Sequence, residues 1–577
     1  MKMPARELAS RRVAQGLIGL CLVGAGLAGG QAVAQTQSQS APVPNVDQGP
    51  GIDVPPGDSQ IPQGSVAPLG PQGPRGPMPP GVNGVAGSVA EAEASAAEPP
   101  RRAYHVQASV GALETYSNNL QLSSTNRQSG GISSLNGNLS LIADGKHLNG
   151  FLVYDPSAMF YSSGGGNQWL NALSSQGTYE AFDQRFFLDE AASVTHQSIS
   201  AFSTQSAVLG TTNSNLTEVA TLRVTPRVVT RVGSDMVFNA QVTEGVTRSK
   251  GTSLGDQNYT NYTVSLADSH KDAKAGWSVN YAEDRTEYTR NSGATQQAER
   301  LYAALMFRPD PDVSLAARAG KERDNYLTVN PETSNTYGFD ANWTPSPRTQ
   351  VTSSWDSHEY GNSYELKAQY RMQRSIFSLS DSRAVNVNGT TQTSLQQTYF
   401  SLFYALYANS VPDPAQRTNF VNTLLASMGL NPNAPAVGGF LAGGLTMSHQ
   451  VTAAYTLQGK RDTFTGMVFS NTTSTLAPAG IESGDLSVSS FVRQRGVNLN
   501  LTHQMSAQTS AVINALYQHA DGSTADLSNT LKSLTASLST KLGVRTDASV
   551  GLRRTEFESS LQPYTENALY GSIQRRF

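Results

Sequence analysis

Ala568-Leu569-Tyr570-Gly571-Ser572-Ile573-Gln574-Arg575-Arg576-Phe577 closes the chain and alternates without a break. Successive side chains of a strand point to opposite faces. Leu569, Gly571, Ile573, Arg575 and Phe577 therefore share one face, and Tyr570, Ser572, Gln574 and Arg576 the other. A soluble sheet would set the apolar row on a dry core, whereas a membrane barrel would set it on lipid with the polar row facing a wet lumen.

Composition favours the barrel. A chain of 577 residues would ordinarily hold about three or four soluble domains. Only 15% of its residues are charged, against 51 Gly and 22 Tyr, and a mean hydropathy of -0.34 then places the polarity in Ser, Thr, Asn and Gln. Such neutral polar residues suit a wall with lipid on one side and water on the other. The net charge of -3 gives no electrostatic case for nucleic acid or anionic lipid. After the N-terminal signal no run of ~18 apolar residues exists, so no spanning helix is available and a closed sheet is the remaining way to cross a bilayer. The terminal strand resembles the assembly signal of bacterial outer-membrane barrels, with Phe577 as its aromatic end; Arg575 departs from it, standing where that signal carries an apolar residue.

Lys2, Arg6, Arg11 and Arg12 precede the apolar run from Val13 to Ala28, and Ala32-Val33-Ala34 offers a cleavage site, so residues 1–34 read as a secretion signal. Arg11-Arg12 continues poorly as a twin-arginine motif. Cys21 is the one cysteine and lies inside this segment, which removes disulfides and thiolate chemistry from the mature chain. Residues 35–103 are dense in Pro, Gly, Ser and Ala and read as a disordered periplasmic leader. Gly70 to Met78 imitates collagen for too short a stretch to form a triple helix.

From Tyr104 to Phe577, apolar residues recur at every second position in segments of roughly 10 to 15 residues, the length of a tilted membrane strand. Tyr337, Phe339, Ala341 and Trp343 form one such row; Tyr364, Leu366, Ala368, Tyr370 and Met372 form another. About twenty-two strands result, with eighteen or twenty if hairpins merge. Their joints sort by parity. Asp144 to His147, Phe182 to Arg185, His270 to Ala273, Arg308 to Asp312, Thr344 to Pro347 and Gly459-Lys460 are short and built from turn formers. Thr115 to Gly130, Ile199 to Ser214, Ser249 to Gln257, Leu327 to Thr333 and Asn471 to Gly484 are longer, and Tyr360 to Ser363 is a short exception. This sorting predicts an all-β, up-and-down antiparallel transmembrane barrel with both termini on the periplasmic side.

Residues 389–444, after the fifteenth strand, break the pattern. Tyr399, Phe400, Phe403, Tyr404 and Tyr407 cluster, and Asp413-Pro414 opens a helical stretch, Ala415 to Met428, in which Phe420 and Leu424 repeat at helical spacing. Two readings stand: a lid or constriction using Phe403, Tyr404, Tyr407, Phe420 and Leu424, or a loop packed above the rim.

The eight histidines are scattered, with no i, i+4 pair for a helical zinc site, and no Gly-x-Ser-x-Gly elbow stands between strand and helix. No catalytic set, metal or cofactor is expected. Opposite the apolar rows lie Arg223, Asn280, Asp284, Arg300, Tyr302, Arg318, Glu322, Glu365, Lys367, Arg371 and Arg553. Placed in a lumen, they would either set a field across it and hydrogen-bond passing solutes, or satisfy one another along a wet wall.

Tyr116-Ser117-Asn118-Asn119-Leu120, Trp343 to Thr349 (WTPSPRT), Tyr360-Gly361-Asn362-Ser363-Tyr364, Arg493-Gln494-Arg495-Gly496 and Pro412-Asp413-Pro414 with its helix together resemble the PEP-CTERM-system-associated outer-membrane protein family. The resemblance spans roughly Tyr104 to Phe577 and misses the leader. That family is similar to outer-membrane porins found with exopolysaccharide export systems. The resemblance therefore implies a Gram-negative outer-membrane location and an exit conduit for an exopolysaccharide, with outer-membrane lipid, the barrel assembly machinery, polysaccharide and periplasmic export proteins as partners. It assigns no binding residue. The alternatives are a non-transporting structural or adhesive barrel and a general diffusion porin.

Overall fold

The structure, a computed structural model, describes residues 104–577 apart from 164–165, 183, 209–210, 212, 271–272, 290–294, 387–399, 401–402, 405–416, 418–420, 422–438 and 477–483. The expected signal (1–34) and leader (35–103) lie outside the described residues.

Twenty-two strands follow one another: β1 (Tyr104–Ser117), β2 (Gly130–Asp144), β3 (Leu148–Tyr161), β4 (Gln168–Phe182), β5 (Phe186–Ser198), β6 (Leu216–Val232), β7 (Met236–Ser249), β8 (Gln257–Asp268), β9 (Ala275–Tyr288), β10 (Thr295–Asp310), β11 (Val313–Asp324), β12 (Glu332–Ser346), β13 (Thr349–His358), β14 (Gly361–Arg371), β15 (Ser375–Asn386), β16 (Thr446–Gln458), β17 (Asp462–Thr475), β18 (Phe491–Gln504), β19 (Thr509–Gly522), β20 (Ser528–Gly543), β21 (Thr546–Ser559) and β22 (Tyr564–Arg576). Each pairs antiparallel with the next, and β22 pairs back to β1 from Ser109↔Arg576 to Ser117↔Ala568. The backbone amide of Phe577 donates to Ala108 O at 2.8 Å, so the last residue is tied into the seam. The sheet has no free edge, as a spanning sheet requires.

Closure fixes which face is which. Tyr337, Phe339 and Trp343 of β12 are 55%, 45% and 50% exposed on the outside, while Gly338 and Asp340 point inward. Aromatic side chains gather toward both ends of the outer surface: Trp277, Phe307, Trp343 and Tyr370 at one, Tyr116, Phe160, Trp169 and Tyr337 at the other. This is the paired girdle of a bilayer-spanning barrel. On β22, Leu569, Ile573 and Phe577 face out, and the Arg575 guanidinium lies 5.9 Å from the Phe577 ring centre. The charge that departed from the assembly pattern thus sits against an aromatic at the barrel's edge.

The joints sort by parity as the sequence predicted. At the end holding both strand termini they run from two residues (311–312) to six (269–274); the other end carries the long loops. Several loop bounds move. β1 continues to Ser117 and β17 to Thr475, and β12 begins at Glu332, because partners on neighbouring strands extend the ladder past the last apolar residue. The insert spans the gap between Asn386 and Thr446, wider than 389–444.

Inside, glycines allow large rings to lie on the wall. Tyr302 is paired with Gly320 and Phe469 with Gly496; a Cβ on Gly320 would stand 2.5 Å from the Tyr302 Cβ, and one on Gly496 2.7 Å from the Phe469 ring. Closure itself is testable. Leu113 and Ser572 are ladder partners on the inner face across the β1–β22 seam, where Cα atoms stand ~4.5–5.5 Å apart, within disulfide range. Leu113→Cys with Ser572→Cys should give a reduction-sensitive cyclised chain in high yield. An open sheet would leave both thiols free.

Candidate functional site

All ten sequence-predicted lumen residues lie on the inner face by strand alternation and register. Most are engaged with neighbours. Arg300 pairs with Glu322 at 2.7 Å and Asp284 at 3.5 Å, and Asp284 also accepts from Tyr259 Oη and Asn261 Nδ2, both at 2.8 Å. Arg318 reaches Asp340 and Asp356, each at 3.0 Å. Lys367 pairs with Glu365 at 2.7 Å. Arg553 pairs with Glu566 at 3.0 Å, and Ser117 Oγ donates to the same carboxylate at 2.8 Å, bracing the closing seam. Tyr302 packs over Gly320, and Arg223 is half-buried in the wall. Arg371 lies near the short-turn end of β14. Of the two sequence readings, mutual satisfaction describes Asp284, Arg300, Arg318, Glu322, Glu365, Lys367 and Arg553. Arg227 was missed; it pairs with Asp189 at 3.0 Å and lies over Phe187, and strict alternation along β6 would have revealed it.

Ser363 Oγ, His358 Nε2 and Nδ1, and Glu322 Oε2 form a chain with links of 2.9 and 2.5 Å, the order of a hydrolytic triad. Its surroundings make it a brace. Arg300 already neutralises Glu322, the Tyr360 ring stacks on the imidazole at 4.7 Å, and Ser363 is only 9% exposed. Among the described residues no group of three His, Cys, Asp or Glu is placed to hold a metal ion.

The insert enters the lumen. Phe400, Phe403, Tyr404, Arg417 and Val421 are helical, and all but Tyr404 are buried. Phe400 stacks on Tyr404 at 5.4 Å, Arg417 lies 4.5 Å over the Tyr404 ring, and both aromatic rings stand 6.3 Å from Phe151. Phe151 is on the inner face of β3, close to its short-turn end. β3 lies ten strands from β15 one way round and twelve the other. A segment that leaves the wall at the long-loop end therefore crosses the lumen and descends it. Of the residues expected in a lid, Phe403 and Tyr404 belong to this body; Tyr407, Phe420 and Leu424 lie outside the described residues.

The long-loop end is roofed by contacts that sequence reasoning did not find. Ala201 and Phe202 of the β5–β6 loop pack with Phe440, Ala442, Leu486 and Val492, and Val219 and Leu254 pack with Leu441. Ala201 N donates to Asp485 at 2.6 Å, Asn529 Nδ2 to Ala201 O at 2.8 Å, and Tyr564 Oη to Gln205 O at 2.7 Å. The loop after β5 thus reaches the ends of β20 and β22. The only signal was apolar residues in loops, without a period to interpret.

No protein-family model and no curated protein matches the chain. Similar solved structures include the siderophore receptor PirA of Acinetobacter baumannii, at 10% identity over 82% of this chain and 80% of that one, TM-score 0.41. The ferric enterobactin receptor PfeA of Pseudomonas aeruginosa, as a double mutant, matches at 10% over 81% and 80%, TM-score 0.38. OccK5 (OpdH) of Pseudomonas aeruginosa matches at 9% over 82% and 98%, TM-score 0.27. At these scores the likeness adds nothing to what the closed ladder itself establishes: a 22-stranded barrel of the outer-membrane type, with a segment of its own chain in the lumen.

Removing Arg300 would take the guanidinium from the buried Glu322 and Asp284, a cost of up to roughly 3–5 kcal/mol lessened by the His358, Tyr259 and Asn261 contacts they keep. Arg300→Ala should lower the urea midpoint of the detergent-solubilised barrel, and an unchanged midpoint would contradict the bracing role. Burial also holds the Asp485 carboxyl in the roof above the usual carboxylate range, against hydrogen bonds from Ser200 and Ala201. A pKa raised in the packed state means that the roof is stabilised in acid and loses that contribution as pH rises through the raised value. Hydrogen exchange at Ala201 and Phe202, corrected for intrinsic rate, should quicken as pH rises from below the ordinary carboxylate pKa through that raised value and level off above it. Asp485→Asn should flatten that profile; persistence of the full pH dependence would remove Asp485 as its source.

Proposed function

We propose that this chain is an outer-membrane channel of a Gram-negative envelope that serves as the exit conduit for an exopolysaccharide, with its leader in the periplasm. The carrying observation is the insert held across a polar lumen. Twenty-two strands enclose a space wide enough to need filling, and here a helical segment hung between β15 and β16 enters it. A channel whose obstruction is tethered at both ends can open without losing it. Passive passage through a wet pore needs positioned polar groups and no catalytic centre. The resemblance to the PEP-CTERM-associated family supplies the polysaccharide.

Asn386 and Thr446 are direct ladder partners, so a two-residue Asn-Gly turn can replace 387–445 and leave the β15–β16 hairpin intact. This variant should show higher single-channel conductance in planar bilayers than the full chain. Equal conductance would remove the insert as the obstruction, and no conductance in either would favour a non-transporting anchor. Deleting the gene should lower secreted polysaccharide, and undiminished secretion would defeat the export reading.

A further inference from the structure

We infer that the glycan handled by this barrel is a polyanion, gathered at the short-turn mouth by a collar of exposed basic joints; the inference rests on the conduit reading above and adds the charge of the cargo to it. Lys146, Arg185 and Lys274 stand on the joints after β2, β4 and β8, and Arg348, Arg374, Lys460, Arg461 and Arg545 on those after β12, β14, β16 and β20. All are exposed, and among the described residues none has an ion-pair partner. The acids on the described parts of these joints are Asp235 and Asp312, and the basic excess survives when Asp183, Lys271 and Asp272 are counted by sequence. At the adjoining strand ends the charges are mixed, with Asp144, Glu180 and Asp310 beside Arg231, Lys541 and Arg575, so the excess belongs to the joints.

The opposite end has no such excess. Its described loops carry Arg127, Lys250 and Arg417 against Asp256, Glu359, Asp485 and Asp526. The chain as a whole is acidic, with a net charge of -3, so a basic rim is not a by-product of composition. An exposed cation acts over a Debye length of about 8 Å at physiological salt, and a single exposed pair is worth about 1 kcal/mol or less. One joint by itself therefore holds little. A polymer with a carboxylate on each repeat can touch several joints together, each contact raising the local concentration for the next, and rings of Arg and Lys select anions in this way at pores. Steering of this kind raises encounter rates by roughly 10- to 1,000-fold. A neutral glycan gains none of it. The joints also favour a flexible chain over a docked protein, whose interface needs a desolvated apolar centre; two to six residues at a time, spread round a rim, they present charge and turn formers. Because the groups stand exposed at the mouth, the first contact needs no movement of the lumen's contents.

The test uses the full chain in uncharged detergent, with polygalacturonate and dextran of matched length as probes. Polygalacturonate should bind, and its affinity should fall by about tenfold or more between roughly 50 and 200 mM salt as released counterions weaken several contacts together. Dextran should bind at least about tenfold more weakly at the lower salt. Arg348→Gln, Arg374→Gln, Lys460→Gln and Arg461→Gln together should weaken polygalacturonate binding by about tenfold or more. Equal binding of the two polymers, or binding indifferent to salt, overturns the inference without recourse to any variant. Undiminished binding by a folded quadruple variant overturns the collar. Polyglutamate of matched charge binding about tenfold more tightly than polygalacturonate would assign the collar to an acidic polypeptide and overturn the glycan reading. Binding is read without any current, so failure of the conduit in planar bilayers is a separate outcome from failure here.

Discussion

The pairing of β22 with β1 is the contact on which everything else depends. In hydrocarbon an unpaired backbone amide or carbonyl costs several kcal/mol, so a spanning sheet has to bond its last strand to its first. The ladder from Ser109↔Arg576 to Ser117↔Ala568 does so, with Phe577 joining it and the Arg553–Glu566–Ser117 cluster bracing it from inside. Once the ring is closed, every strand has one face on lipid and one on the lumen.

That division sets the chemistry of the wall. Apolar rows are left outside, joined by ion pairs such as Arg493–Asp521 and Asp381–His449, and the other half of each strand lines the inside, where charges also find partners on adjacent strands. The network of Asp284, Arg300, Glu322 and His358 holds β9, β10, β11 and β13 by side chains as well as backbone. Its residues are those that would draw attention as a site, yet their pairing directs their energy to the wall.

A ring of this size cannot be filled by its own wall side chains. Phe400 and Tyr404 of the insert enter it, and at the long-loop end Ala201, Phe202, Leu254, Phe440, Leu441 and Leu486 form buried apolar clusters. The roof and the insert are continuous, since Phe440 and Leu441 close the insert and bond to Ser198 at the top of β5.

The strand number, the two faces and the parity of the joints were legible in the chain because each rests on neighbours in sequence: a period of two, turn-forming residues, and a polar or apolar choice at each step. The ten lumen residues fell on the inner face for the same reason. Their partners were not legible. Glu322 and His358 are 36 residues apart, Ala201 and Asp485 284, and the roof core has no period to read. Phe151 meets Phe400 and Tyr404 only because closing the ring sets β3 almost opposite β15. Local alternation determined that a barrel forms and which side chains face its lumen. Only closure decided what meets across that lumen, because a contact between distant strands depends on the register and circumference of the whole ring.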